Sequence, residues 1–423
     1  MHNRCYRVHE RLLAIVFCCG LAGGAIWLAP APASGQSVQP TETASQDAVF
    51  DLEGQLERGE ATLDYDAKLG YLPSLLKRLG VNADSQVLVF SKTSFQQALI
   101  SPQNPRAIFF NDDIAIGAVP GGKVFEISAL DPTRGVKFYT LDMQPAKNPR
   151  FQRGGPVCGE CHDPISVLTP GLMVTSVIPS ADGTPFFTGA FFNITDHRTP
   201  IAERWGGWYV TGKSEPHMGN AVAPDPEHPT ELQSKGAQNV LSLAGRFDLS
   251  KYPVPTSDIV ALMTLEHQTR MINLLTSVGA QARSLIEKGK LDEAASRRLN
   301  QAVEEIVGSM LFADEAPLHE PVKGVSTFTE TFSSRGPRDK KGRSLRDFDL
   351  QKRMFRYPLS YMAYSATFDN LPDAVRGRIY QRLYEVLSGR DRSQKYARIS
   401  SADRTAILEI LRDTKPNLPD YFK

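Results

Sequence analysis

RAIFFNDDIAIGAVPGGKVFEISALDPTRGVKFYTL, residues 106–141, decides the fold. Apolar, β-branched and aromatic residues alternate through RAIFF (106–110), DIAIGAV (113–119), KVFEISAL (123–130) and VKFYTL (136–141), and turn-forming residues end each run. SQVLVF (85–90) adds a run upstream. Pro120-Gly121-Gly122 between two runs is a hairpin signal, so an antiparallel sheet is expected. A short helix is expected at 66–79, and further strand-like runs at LMVTSVI (172–178), PFFTGAFF (185–192) and 207–211.

From Thr256 onward the period becomes helical. Ser257 is the expected cap of a helix reaching about residue 288, with Ile259, Met263, His267, Met271, Leu274 and Val278 on one stripe. A second helix is expected at 291–312, and two more at 373–387 and 402–413. Ser400 with Asp403 makes a capping-box-like start for the last. The fold class is therefore α+β, with a β-rich N-terminal half and a helical C-terminal half.

The chain has 423 residues, enough for two domains, and Lys plus Arg (48) balances Asp plus Glu (47). Such a balance offers no basic field for nucleic acid. Arg4, Arg7 and Arg11 precede an uncharged apolar run from Leu12 to Ala29, and Ala31-Pro32-Ala33 has the small-x-small form that signal peptidase reads. Residues 1–33 read as a signal peptide cleaved near Ala33, which predicts a periplasmic protein with no membrane segment after cleavage; an uncleaved anchor is the other reading. Residues 34–60 read as a linker, 61–250 as a β-rich domain and 251–423 as a mainly helical region.

Cys5, Cys18 and Cys19 leave with the signal, so Cys158 and Cys161 are the mature cysteines, and His162 follows directly. Cys158-Gly159-Glu160-Cys161-His162 has the form of a c-type haem attachment site. Two thiols three positions apart can reach both vinyl groups from one helical turn, and the next residue can place its imidazole on the iron. A zinc site would need a second cysteine pair, and a thioredoxin-like dithiol would need a βαβ setting. A plain disulfide would leave His162 unexplained. One covalent haem c is the expected cofactor, and the β-rich domain is its expected carrier.

These five residues resemble those of c-type cytochromes. With SKTSFQQALISPQNPRAIFFNDDIAIGAV (91–119), RWGGWYVTG (204–212), DIVALMTLEHQ (258–268) and FRYPLSYMAYSATFDNLP (355–372), the chain resembles a group of large bacterial exported monohaem proteins. The resemblance implies haem binding and electron transfer and names no substrate. It carries over only to Cys158, Cys161 and His162.

A haem that passes electrons usually has a second protein ligand, whereas one that does chemistry keeps a face open. In Pro216-His217-Met218-Gly219-Asn220, His217 is the leading distal candidate, with Met218 as its neighbour and alternative. His267 is the rival, although its place on an apolar stripe also suits a core residue. Glu266 is spaced for a surface ion pair with Arg270. Arg204 and Trp205, beside Gly206-Gly207, are candidate haem surroundings through propionate contacts, or else a packed β-corner. Asn111-Asp112-Asp113 reads as a turn or a cation site.

Residues 335–356 hold nine Arg or Lys against three Asp, a solvated loop or a docking patch for an acidic redox partner. The leading expectation is an electron-transfer cytochrome. The alternatives are a haem enzyme or small-molecule sensor with open iron, and a binding module that haem staples together.

Overall fold

The computed structural model describes residues 46–166, 168–186, 193–225 and 239–423. The leader, the Ala33 cleavage point and most of the 185–192 run lie outside them.

Helix α1 (Ala48–Glu57) occupies part of the segment expected as linker. Asp47 caps it, accepting from the Val49 and Phe50 amides at 3.0 Å. Its apolar residues are interrupted by Asp51, Glu53, Gly54 and Gln55, so the sequence shows little periodicity, yet Val49 and Leu52 are buried. Helix α2 (Leu72–Arg78) begins later than expected, because Asp66 and Gly70 pair across a turn first.

Strands β1 (Val87–Val89), β2 (Arg106–Phe110), β3 (Ile114–Ala118), β4 (Val124–Asp131), β5 (Gly135–Asp142) and β6 (Phe151–Arg153) lie side by side in chain order, and β9 (Trp208–Tyr209) closes the free edge of β1. The seven strands are antiparallel throughout. The expected runs at 172–178 and 207–211 shrink to β7 (Thr175–Ser176), paired with β8 (Asn193–Ile194), and to β9.

The register gives the sheet two unlike faces. Phe109, Ile116, Phe125, Ile127 and Tyr139 share a core with Val49, Leu52, Leu72 and Leu75 from α1 and α2. On the other face, Phe110, Leu130 and Val136 join the core of the helical half. The rest of that face, including Arg106, Ala115, Glu126, Ser128, Phe138 and Thr140, is only half-buried. The attachment segment lies at this open end.

The α+β arrangement is as the pattern predicts. After a short helix, α3 (Pro156–His162), come α4 (Ile259–Glu287), α5 (Glu293–Met310), α6 (Phe328–Ser334), α7 (Ala366–Asp369), α8 (Asp373–Leu387) and α9 (Ser401–Thr414). Ser400 and Asp403 form a reciprocal capping box at α9. α4 packs against both β5 and α5, so it is buried all round from Ile259 to Thr269 rather than on one stripe. Core residues from both sides of residue 250 pack in one cluster.

The cap of α4 is Asp258, not Ser257. Ser257 Oγ accepts from the Leu88 amide at 2.8 Å and donates to the Tyr209 carbonyl, tying β1 and β9 to the helix start. Asp258 accepts from the Val260 amide and also from the amides of Val325 and Ser326, each at 2.8 Å, while fully buried. Asp258→Ala removes a cap worth about 1 kcal/mol and leaves the half-buried Val325 and Ser326 amides without their acceptor, so thermal unfolding should show a loss of about 2 kcal/mol or more. Asp258→Asn, which keeps an acceptor, should recover part of it.

Candidate functional site

Strand β6 ends at Arg153, and Gly154 donates its amide to the Phe138 carbonyl at 2.7 Å. A side chain at Gly154 would strike Phe138 and Cys158 Sγ, so only glycine lets α3 rise directly off β5. Pro156 opens α3, where its missing N–H costs nothing. Cys158 and Cys161 then stand on one turn as free thiols, the first half-buried and the second exposed. Burial and the nearby Glu126 carboxylate raise the Cys158 thiol pKa.

His162 ends α3. Its ring lies against Phe138 with centroids 4.4 Å apart, and its Nδ1 is 2.6 Å from the Gly171 carbonyl oxygen. A carbonyl can only accept, so Nδ1 carries the proton and Nε2 keeps its lone pair. The Gly171 amide donates back to the His162 carbonyl at 2.9 Å, closing the loop between them. Burial holds the His162 pKa below its ordinary value, so the ring is neutral at pH 7. Neutral, with Nδ1–H on a backbone carbonyl, is the state of a metal-ligating imidazole. Val157 and Leu168 beside the motif are 48% and 67% exposed, leaving apolar surface uncovered at the cysteines. Donor set, tautomer and uncovered apolar surface all fit a haem joined to Cys158 and Cys161.

Compared with protein-family models, curated proteins and solved structures, the chain matches none.

The distal candidates are engaged in contacts of their own. His217 is buried, edge-on to Trp205, and its Nδ1 accepts from the Gly219 amide at 3.0 Å. That bond puts the proton on Nε2, the opposite tautomer to His162, and leaves no lone pair free for iron. Met218 sits near the Ser176 hydroxyl and packs with Ile178 and Ala223. His267 is fully buried, stacked on Phe312, with Nδ1 at 3.1 Å from His197 Nδ1 and Nε2 at 2.8 Å from Ser360 Oγ. Both of its nitrogens are engaged. Among the described residues, no group of three or more His, Cys, Asp or Glu is placed to hold a metal ion.

Arg204 and Trp205, expected as haem surroundings, are placed in the interior instead. Arg204 donates to Glu266 at 2.9 Å, to the Thr199 carbonyl at 2.7 Å and to the His197 carbonyl at 3.2 Å. Trp205 is fully buried at φ 67°, and its indole N–H has no partner among the described residues. The neighbouring glycines serve close packing, since a side chain at Gly206 would strike the Val177 carbonyl. Glu266 is likewise not a surface residue: it pairs with Arg204 and Thr195, while Arg270 bonds Glu305, Ser309 and Asp196. The sequence hides this exchange, because helical spacing favours Arg270 and only the tertiary packing brings Arg204 across.

With side chains 3% and 0% exposed, the Arg204–Glu266 pair cannot be broken cheaply. Arg204→Ala should destabilise the protein by about 3–5 kcal/mol in urea unfolding, because an unpaired acid stays inside. Adding Glu266→Leu should restore much of that loss.

Asn111 forms a turn, its Oδ1 accepting from the Asp113 and Ile114 amides at 3.0 and 2.8 Å, and Asp112 pairs with Arg346. In the basic segment, Arg338 bonds Asp347, Lys340 bonds Asp413, Lys341 and Arg343 bond Glu409, and Arg353 bonds Asp403. These cations fasten the segment to α9 and to its own turn.

Proposed function

We propose that the chain is an exported monohaem c-type cytochrome that takes up and passes single electrons. In this reading Cys158 and Cys161 hold the haem and His162 Nε2 is the proximal ligand. The observation that carries it is the 2.6 Å contact of His162 Nδ1 with the Gly171 carbonyl, beside two free thiols on one turn. Haem supplies a reversible one-electron iron couple. The chain's own residues do the rest. Gly171 selects the tautomer, Phe138 holds the ring, and Gly154 sets α3 against the sheet. Export rests on the 1–33 leader, and a redox partner belongs to this reading. The 335–356 segment supports partner docking less than its composition suggests, because most of its cations bond acids of the same chain.

A second reading, a haem enzyme or small-molecule sensor with an open distal face, is favoured by one observation. His217 and His267 already use the nitrogens that a distal ligand would need. An absorption spectrum of the matured protein, reduced and then exposed to carbon monoxide, separates the two. A low-spin spectrum indifferent to carbon monoxide supports electron transfer. High-spin ferrous iron with fast uptake supports the open site. Colourless protein at its unmodified mass overturns both.

A further inference from the structure

With Arg204 engaged in the interior, a haem at Cys158 and Cys161 needs another cation for its carboxylates. The half-buried sheet face in front of His162 carries one. Phe138, against which His162 lies, pairs with Ser128 on β4, and Ser128 pairs with Ala115 on β3. The next row runs Thr140, Glu126, Gly117, Ile108. Small side chains at Ala115, Gly117 and Ser128 make this stretch shallow. Arg106 reaches across it. A side chain at Gly117 would collide with the Arg106 guanidinium, so glycine there lets that group lie flat on the sheet.

Glu126 holds the guanidinium in place, 2.5 Å from one terminal nitrogen. Ser94 Oγ and Gln96 Nε2 fix Glu126 in turn, at 2.6 and 2.8 Å. Arg106 Nε is buried with no hydrogen-bond partner among the described residues, an unmet donor that costs stability unless something accepts from it. Glu126 lies two residues along β4 from Ser128, the partner of Phe138, and on the same face, which sets the pair one row from the ring of His162.

We propose that Arg106, laid over Gly117 and braced by Glu126, is the residue that binds a carboxylate of the haem attached at Cys158 and Cys161. A guanidinium offers forked donors that match a carboxylate, and a braced one loses little freedom on binding. The assignment rests on the haem reading of α3.

The test compares the matured full chain with its Arg106→Gln and Arg106→Lys forms. Mass and absorption report attachment, resonance Raman reports the propionate bending band, and redox titration reports the midpoint potential. In Arg106→Gln the haem stays attached, the bending band shifts and the potential falls, because a positive charge that favours ferrous iron is gone. Arg106→Lys keeps the charge and most of the potential but not the bending band, since an ammonium lacks the fork. If Arg106→Gln is too unstable to purify, the bending band of Arg106→Lys decides alone. An attached haem with the band unmoved in the purified variant overturns the assignment and leaves the haem reading standing. A wild-type chain without haem removes both.

Discussion

The double variant Cys158→Ser, Cys161→Ser, made in a host with working cytochrome maturation machinery, is expected to come out colourless and at the mass of its polypeptide. The wild-type chain from the same host should be coloured and heavier by one haem. The reason is chemical rather than structural. Serine hydroxyls do not form the thioether links, and one axial imidazole alone holds haem reversibly. Fold should survive, because Cys161 is exposed and Cys158 half-buried, with neither in a hydrophobic core. Far-UV circular dichroism and mass spectrometry on the two proteins settle the point. His162→Ala separates the roles further: the haem should stay covalent while its iron loses the proximal nitrogen and its spectrum changes. An unmodified wild-type mass would remove the haem interpretation altogether.

Acid is expected to unfold the protein between about pH 4.5 and pH 3. Burial pushes His217 down to about 4 and His267 to about 3 from an ordinary 6.5, and holds His197 well below it. Each imidazole therefore binds its proton more readily in the unfolded chain. Their contribution is complete above 6.5 and is lost as the pH falls through that value toward the folded pKa values. Two buried acids work the other way. Glu266 and Glu315 are pushed up to about 7 by burial, against Arg204 and the Met354 amide respectively, so the folded state takes up their protons first. They add stability as the pH falls from 7 to 4.5 and nothing below that.

The two effects oppose each other in the upper window, and only the loss remains in the lower one. Each such histidine removes about 1.4 kcal/mol per pH unit between its folded and unfolded pKa values, so His267 alone removes roughly 2 kcal/mol between about pH 4.5 and pH 3, and the buried His197 acts in the same direction. Against a total of about 5–15 kcal/mol, that is a large share. Urea unfolding at pH values between about 7 and 3 should show a shallow plateau and then a steep fall. A flat profile down to about pH 3 would contradict the burial of these rings.

Much of the sheet was legible, because period-two runs separated by glycine and proline leave few alternatives. RAIFF, DIAIGAV, KVFEISAL and VKFYTL became β2 to β5 with ends close to those expected. The capping box at Ser400 was legible for a similar reason, since both partners lie within one turn. α1 was not, because Val49, Leu52 and Leu56 among acids become a helix only when a sheet face covers them. Asp258 and Ser257 look equivalent as caps. Which one bonds the helix depends on β1, β9 and the 325–326 amides, all distant in sequence.

The same division runs through the candidate site. The linear chain determined that two thiols and an imidazole stand within one turn, because helical geometry converts spacing into direction without outside help. It also determined the alternating faces of the sheet. Tertiary structure decided the rest. It handed the His162 proton to Nδ1 through Gly171, moved Arg204 inside to meet Glu266, and laid Arg106 over Gly117. Each of these depends on where a distant backbone or carboxylate comes to rest, and local sequence carries no record of that.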